Sequence, residues 1–222
     1  MSRTLVIALH GTRHSGGKVF AEELRVAVGE RLGVPVRIGW VDIEPELLPE
    51  TVQQVGECVI VPTFLAAGYH VAHDINEAVL ASGGRAVTTS HVGRDVLAAI
   101  EDRLRAAGPI GDAVVMAAIG SKRPGAQAEV YATAERLSRR IGVPVRPGFI
   151  YAASPSLAEA VEELRGEGHH DLSVATHALA PGLYQQHIDA LGLRAAAPIG
   201  VHRLLVEAIA TRYLTATLAA SA

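Results

Sequence analysis

Gly33-Val34-Pro35-Val36-Arg37 recurs unchanged as Gly142-Val143-Pro144-Val145-Arg146. Residues 10–40 align without gaps on residues 119–149, so the pentapeptide is the clearest part of a longer match. Gly39 falls on Gly148, Trp40 on Phe149, and His10-Gly11-Thr12-Arg13 on Ile119-Gly120-Ser121-Lys122. Further on, Leu65-Ala66-Ala67-Gly68 falls on Leu179-Ala180-Pro181-Gly182. Matches in this order indicate duplication of an ancestral half-length unit. The repeat predicts two similar half-domains, 1–107 and 112–222, joined through Ala106-Ala107-Gly108-Pro109-Ile110-Gly111.

Each copy alternates strand and helix. Leu5-Val6-Ile7-Ala8-Leu9 is a short, continuous apolar run, the pattern of a parallel strand buried on both faces. The periodicity then predicts helix 17–32, strand 34–41, helix 46–55, strand 58–62, helix 70–81, strand 87–90 and helix 94–107. The second copy repeats the order with strands 113–118, 143–150, 171–176 and 194–197. Its helices are 125–141, 155–166, 183–191 and 201–217. Such alternation predicts an α/β fold with two mainly four-stranded parallel sheets, each flanked by helices. Right-handed crossovers then bring the C-terminal ends of all strands in a sheet to one rim, the usual ligand edge.

Bulk composition narrows the function classes. The chain has 222 residues, 49% hydrophobic and 19% charged, which suits a packed core and argues against disorder. A net charge of −3 and 4% aromatic residues argue against a nucleic-acid surface. Cys58 is the only cysteine, which rules out an internal disulfide and a cysteine-based zinc site. No signal peptide or membrane span is read from the sequence, and the expectation is a cytoplasmic protein.

His10 directly follows the first strand, and Gly11 allows close backbone approach to a ligand. Gly68-Tyr69-His70-Val71-Ala72-His73-Asp74-Ile75 follows the third strand and falls on the same rim. A helix starting near His70 puts His70, His73 and Asp74 on one face. Imidazole with carboxylate suits a first-row divalent metal: Co²⁺, Fe²⁺, Ni²⁺ or Zn²⁺. The competing reading is that Asp74 complements the helix dipole and His73 is a solvated surface residue. The repeat discriminates, because His10 becomes Ile119 and His70 becomes Tyr184 in the second copy. Purely structural histidines have no reason to disappear as a pair. His187 keeps the position of His73, so His73 is expected to matter less to the chemistry.

Other site types are poorly supported. There is no Gly-x-Ser-x-Gly elbow, no phosphate loop and no Gly-x-Gly-x-x-Gly after the first strand. A histidine-phosphatase start needs an Arg before His10, and Leu9 stands there.

These residues resemble the sirohydrochlorin chelatases, the cobalt- and iron-inserting enzymes of cobalamin and sirohaem synthesis. The opening motif of that family, a strand followed by His-Gly-Ser/Thr-Arg, is matched by His10-Gly11-Thr12-Arg13. The second, Phe-Leu-x-x-Gly-x-His-x-x-x-Asp-Ile, is matched by Phe64 to Ile75. The chain departs from the family at Asn76, where Pro is usual, and at His14, where many relatives carry Asp. The resemblance implies chelatase-like half-domains and insertion of Co²⁺ or Fe²⁺, with Ni²⁺ or Zn²⁺ as further options. The metal enters as substrate, and no tightly bound cofactor is implied. His10 and His70 are the implied metal-handling pair. Asp42, or Glu44 close behind it, stands where relatives place an acidic residue.

Gly11, Thr12, Arg13, Gly68 and Tyr69 are the expected contacts to the tetrapyrrole. Arg37, Lys122 and Arg123 are further partners for its carboxylates. The expected partners are therefore a tetrapyrrole and a divalent metal ion, with no nucleic acid and no membrane. A monomer is expected, since the duplication supplies both halves. The alternative is a non-catalytic metal or tetrapyrrole carrier using the same histidines.

Overall fold

Leu5 to Leu9 form the centre of the first sheet because no face of this run tolerates water. Strand β1 (Thr4–Leu9) has every residue from Leu5 onward buried. A computed structural model of the chain describes residues 3–68 and 73–220. Strand β1 pairs in parallel with β2 (Val36–Trp40) and β3 (Cys58–Pro62), and β3 pairs with β4 (Ala86–Thr88). The sheet order is β2-β1-β3-β4. The second copy builds β5 (Ala113–Ala118), β6 (Val145–Phe149), β7 (Leu172–His177) and β8 (Arg194–Ala195), again parallel, in the order β6-β5-β7-β8.

The repeated pentapeptide is a helix stop followed by a strand start. Helix α1 (Ser15–Leu32) ends on Gly33, whose left-handed φ of 66° lets its N–H reach Gly29 O at 2.8 Å. Gly142 ends α5 (Pro124–Ile141) the same way, with φ 77° and a bond to Ser138 O at 2.9 Å. Pro35 O and Pro144 O then accept from Leu5 N and Val114 N, which opens each ladder. The strands expected from 34 and 143 therefore begin at Val36 and Val145, after the proline. The other repeated glycine is a packing device. A Cβ on Gly39 would lie 2.4 Å from Leu48 Cδ1 of helix α2 (Leu48–Val55), and one on Gly148 would lie 3.0 Å from Leu157 Cα of helix α6 (Leu157–Gly166).

Helix α1 begins two residues earlier than its periodicity predicts. His14 caps it, with Nδ1 accepting from Gly16 N at 3.1 Å. The predicted helix 70–81 is α3 (Asp74–Ala81) over its described part. Residues 70–72 lie outside the described residues. Helix α4 spans Leu97–Ala106, α7 is the short segment Gln185–Asp189, and α8 is Arg203–Ala219.

Two compact units result: Met1–Val96 with Val201–Ala222, and Leu97–Gly200. The division expected at 1–107 and 112–222 follows the sequence repeat, and the compact units differ from it by exchange of the last helix. Helix α4 packs against β7 and α5 in the second unit, while α8 packs on α1 and β3 in the first. The reason is visible in the anchors. Leu205, Ile209 and Tyr213 of α8 are buried, and Tyr213 Oη donates to Arg3 O at 2.6 Å. Arg212 donates to Ser90 O at 2.8 Å and His91 O at 2.7 Å and pairs with Asp95, fixing the loop before α4. Cys58 is a buried free thiol, and burial pushes its pKa up to about 11.

Candidate active site

In the first sheet β1 lies between β2 and β3, so residues just past the ends of these strands converge where the winding direction changes. His10 leaves β1 there with its side chain 51% exposed. Its imidazole stands edge-on to Phe64, with ring centroids 4.8 Å apart and an interplanar angle of 77°. Phe64 is itself buried, as expected for a core residue, and so gives His10 a rigid apolar wall.

Asp42 and Glu44 are held in different directions. Asp42 Oδ1 accepts from Gly11 N at 2.8 Å, and Oδ2 lies 3.7 Å from His10 Nδ1. This carboxylate is thus held by the backbone beside His10 and faces its ring. Glu44 is turned the other way. Its side chain, 9% exposed, accepts from Thr12 N at 3.3 Å and pairs with Lys18 Nζ at 2.9 Å. The switch of direction comes from Ile43, which holds φ 65°, while Glu44 N donates to Asp42 O at 2.7 Å across it. A β-branched residue with left-handed φ is a rare, strained choice of the kind found at functional loops. Nothing in the residue type of Ile43 or Lys18 signals these roles.

Gly11 is required for this approach: a Cβ there would lie 2.0 Å from Asp42 O. Arg13 is exposed and Gly68 half-buried. Arg37 pairs with Glu46 at 3.8 Å. With Lys18, Arg25 and Trp40 it lines a groove of about 500 Å³ along the β2 edge. Lys122 and Arg123 are exposed on the second unit. His91, which the sequence reading passed over, places Nδ1 3.3 Å from Phe64 O and supports the same loop. Tyr69 and His70 lie outside the described residues. His73 is exposed, with Nδ1 3.2 Å from Asp74 Oδ1.

The second copy provides a control for the loop around His10. Gly120 repeats Gly11, with a Cβ there 1.8 Å from Tyr151 O, and Ala152 repeats the left-handed φ of Ile43 at 56°. The loop backbone is retained and these side chains are not. Ile119 replaces His10, Tyr151 replaces Asp42, Ala153 replaces Glu44, and Gln127 replaces Lys18. Tyr184, at the position of His70, is buried, with Oη donating to Ala180 O at 2.7 Å. His177 replaces Thr63 and is fully buried. Its Nε2 has no partner among the described residues, and desolvation lowers its pKa to about 4.

The family model CbiX matches residues 4–112 and, a second time, residues 113–216. No curated protein matches the sequence. Among solved structures, SirB from Bacillus subtilis with Fe³⁺ superposes with a TM-score of 0.82 at 22% identity, over 100% of this chain and 97% of that one. The sirohydrochlorin chelatase SirB from Bacillus subtilis subspecies spizizenii in complex with cobalt gives 0.76 at 18%, over 98% and 96%. CbiX, the terminal enzyme for biosynthesis of siroheme in denitrifying bacteria, gives 0.68 at 21%, over 96% and 98%. These likenesses establish a shared fold across the whole chain.

Proposed function

The chain belongs to the CbiX family, and from that premise we propose that it is a metal chelatase that inserts Co²⁺ or Fe²⁺ into a sirohydrochlorin-type tetrapyrrole. The observation that carries the reading is the His10–Asp42 arrangement on Gly11. It is present in the first copy and replaced residue by residue in the second, although both copies keep the same loop backbone. One solved structure of the same fold holds Fe³⁺ and another cobalt, which supports a first-row transition ion as substrate.

Insertion exchanges two pyrrole N–H protons for one divalent ion, so the site must offer the ion a loose ligand and the protons an acceptor. A neutral imidazole does both. His10 takes a pyrrole proton. Asp42, fixed by the Gly11 amide and facing Nδ1, orients the ring and favours the imidazolium that forms. His70 is proposed as the second imidazole. Glu44, tied to Lys18 and Thr12, acts on the geometry of the loop. Gly11 and Thr12 amides, Arg13, Gly68 and Tyr69 are proposed to meet the macrocycle and its carboxylates. The protein works as a monomer in this reading.

The test is absorbance of sirohydrochlorin mixed with catalytic amounts of protein and Co²⁺ or Fe²⁺. A chelatase converts many equivalents of tetrapyrrole. Conversion that stops at one equivalent identifies a carrier and rejects this function.

A further inference from the structure

Ile43 is held in a backbone conformation that isoleucine disfavours, and its side chain is not withdrawn from water. Its φ is 65° and the residue is 57% exposed. At such a φ the Cβ crowds the following carbonyl oxygen, and glycine or asparagine makes the same turn at less cost. The turn has a use, since it sends the Asp42 and Glu44 side chains in different directions. It does not account for the isoleucine. Ala152 makes the same turn in the second copy, at φ 56°, with a single methyl group. Two costs therefore meet at Ile43: backbone strain, and apolar surface left in water.

The place of this side chain is fixed by Gly11. A Cβ on Gly11 would lie 3.1 Å from Ile43 Cβ, so the side chain starts against the Gly11 backbone, one residue from His10. Its chain neighbour Asp42 is the carboxylate 3.7 Å from His10 Nδ1. Val41 and Phe64 are buried, so of these three apolar residues only Ile43 offers surface to a ligand beside His10.

We infer that Ile43 is a substrate-contact residue, whose side chain meets the apolar ring surface of the tetrapyrrole beside the point where His10 approaches it. The inference rests on the proposed function for the identity of this ligand. A tetrapyrrole is a flat apolar ring edged with carboxylates. Charged partners hold its rim and leave the ring free to tilt. An aliphatic side chain against the ring surface fixes its height over the imidazole, and burial of both surfaces from water adds affinity. The strained turn holds the contact surface in place before binding, so little order is lost when the ring arrives. The copy that lacks His10 keeps the turn and carries only the methyl group of Ala152.

The test is titration of the full chain with metal-free sirohydrochlorin, read by quenching of Trp40, the one tryptophan in the sequence. Ile43→Gly and Ile43→Asn both suit a left-handed φ and remove the aliphatic surface. Each is expected to weaken binding about tenfold, while the urea midpoint stays level or rises. Ile43→Leu restores aliphatic bulk and is expected to recover most of the affinity. A purely structural role moves stability and binding down together. Weaker binding with a lower urea midpoint therefore overturns the inference, as does Ile43→Leu binding no better than Ile43→Gly. Absence of binding by the parent chain rejects the tetrapyrrole as ligand, and the proposed function with it. Parental binding that Ile43→Gly and Ile43→Asn leave intact rejects this contact alone.

Discussion

At the scale of single residues, Gly11, Asp42 and Ile43 shape the loop that presents His10. Gly11→Ala drives a methyl group into Asp42 O, a contact with no flexible partner to yield. A loss of about 3 kcal/mol is expected, read from the urea midpoint. Asp42→Asn keeps an oxygen for the Gly11 amide but removes the charge facing His10. The urea midpoint should stay within about 0.5 kcal/mol of the parent, and metal insertion should slow by about 10- to 100-fold. Insertion at the parental rate would show that the carboxylate only braces the loop. His177 gives a prediction with a definite sign. Its folded pKa of about 4 lies below the unfolded value, so the unfolded chain binds the extra proton as pH falls. Stability from the neutral buried ring is present above the unfolded pKa near 6.5 and drains away as pH falls toward 4. The second unit should lose on the order of 2 kcal/mol between pH 7 and pH 5. His177→Thr, which installs the residue found at the matching position of the first copy, should flatten that slope in urea titrations.

At the scale of elements, the strands were the most legible. Leu5–Leu9 and Ala113–Ala118 are continuous apolar runs, and a run buried on both faces has few other fates. The pentapeptide marked both helix stops because a left-handed glycine followed by proline ends a helix for backbone reasons alone. Helix starts were harder to read. The start of α1 depends on His14, whose imidazole accepts a backbone bond much as a serine or aspartate would, and histidine is not among the residues favoured at that position. The site was legible to the extent that residue type carries chemistry. His10, Asp42 and Gly11 were named from the sequence and stand together. The opposite directions taken by the Asp42 and Glu44 side chains were not legible, because they follow from the φ of Ile43, and a left-handed isoleucine leaves no trace in residue type.

At the scale of the whole molecule, duplication was readable from the repeat, whereas the exchange of last helices was not. Hydrophobic periodicity states that α4 and α8 each need an apolar surface, and is silent on which sheet provides it. Leu205, Ile209 and Tyr213 of α8 complete the first unit. A fragment ending at residue 107 should therefore fail to fold cooperatively despite containing one full sequence repeat. Joining residues 201–222 to residues 1–96 through a flexible linker should restore a sharp thermal transition by circular dichroism. Cooperative melting of the 1–107 fragment alone would contradict that assignment. Duplication also frames the central claim, that one copy kept the chemistry and the other kept only the scaffold. The most direct measurement compares rates of Co²⁺ insertion into sirohydrochlorin, under multiple turnover, for His10→Ala and for Ile119→Ala at the equivalent position. Chemistry confined to the first copy predicts a fall of about 10²-fold or more for His10→Ala and a rate near that of the parent for Ile119→Ala. A His10→Ala variant that turns over at the parental rate would contradict it.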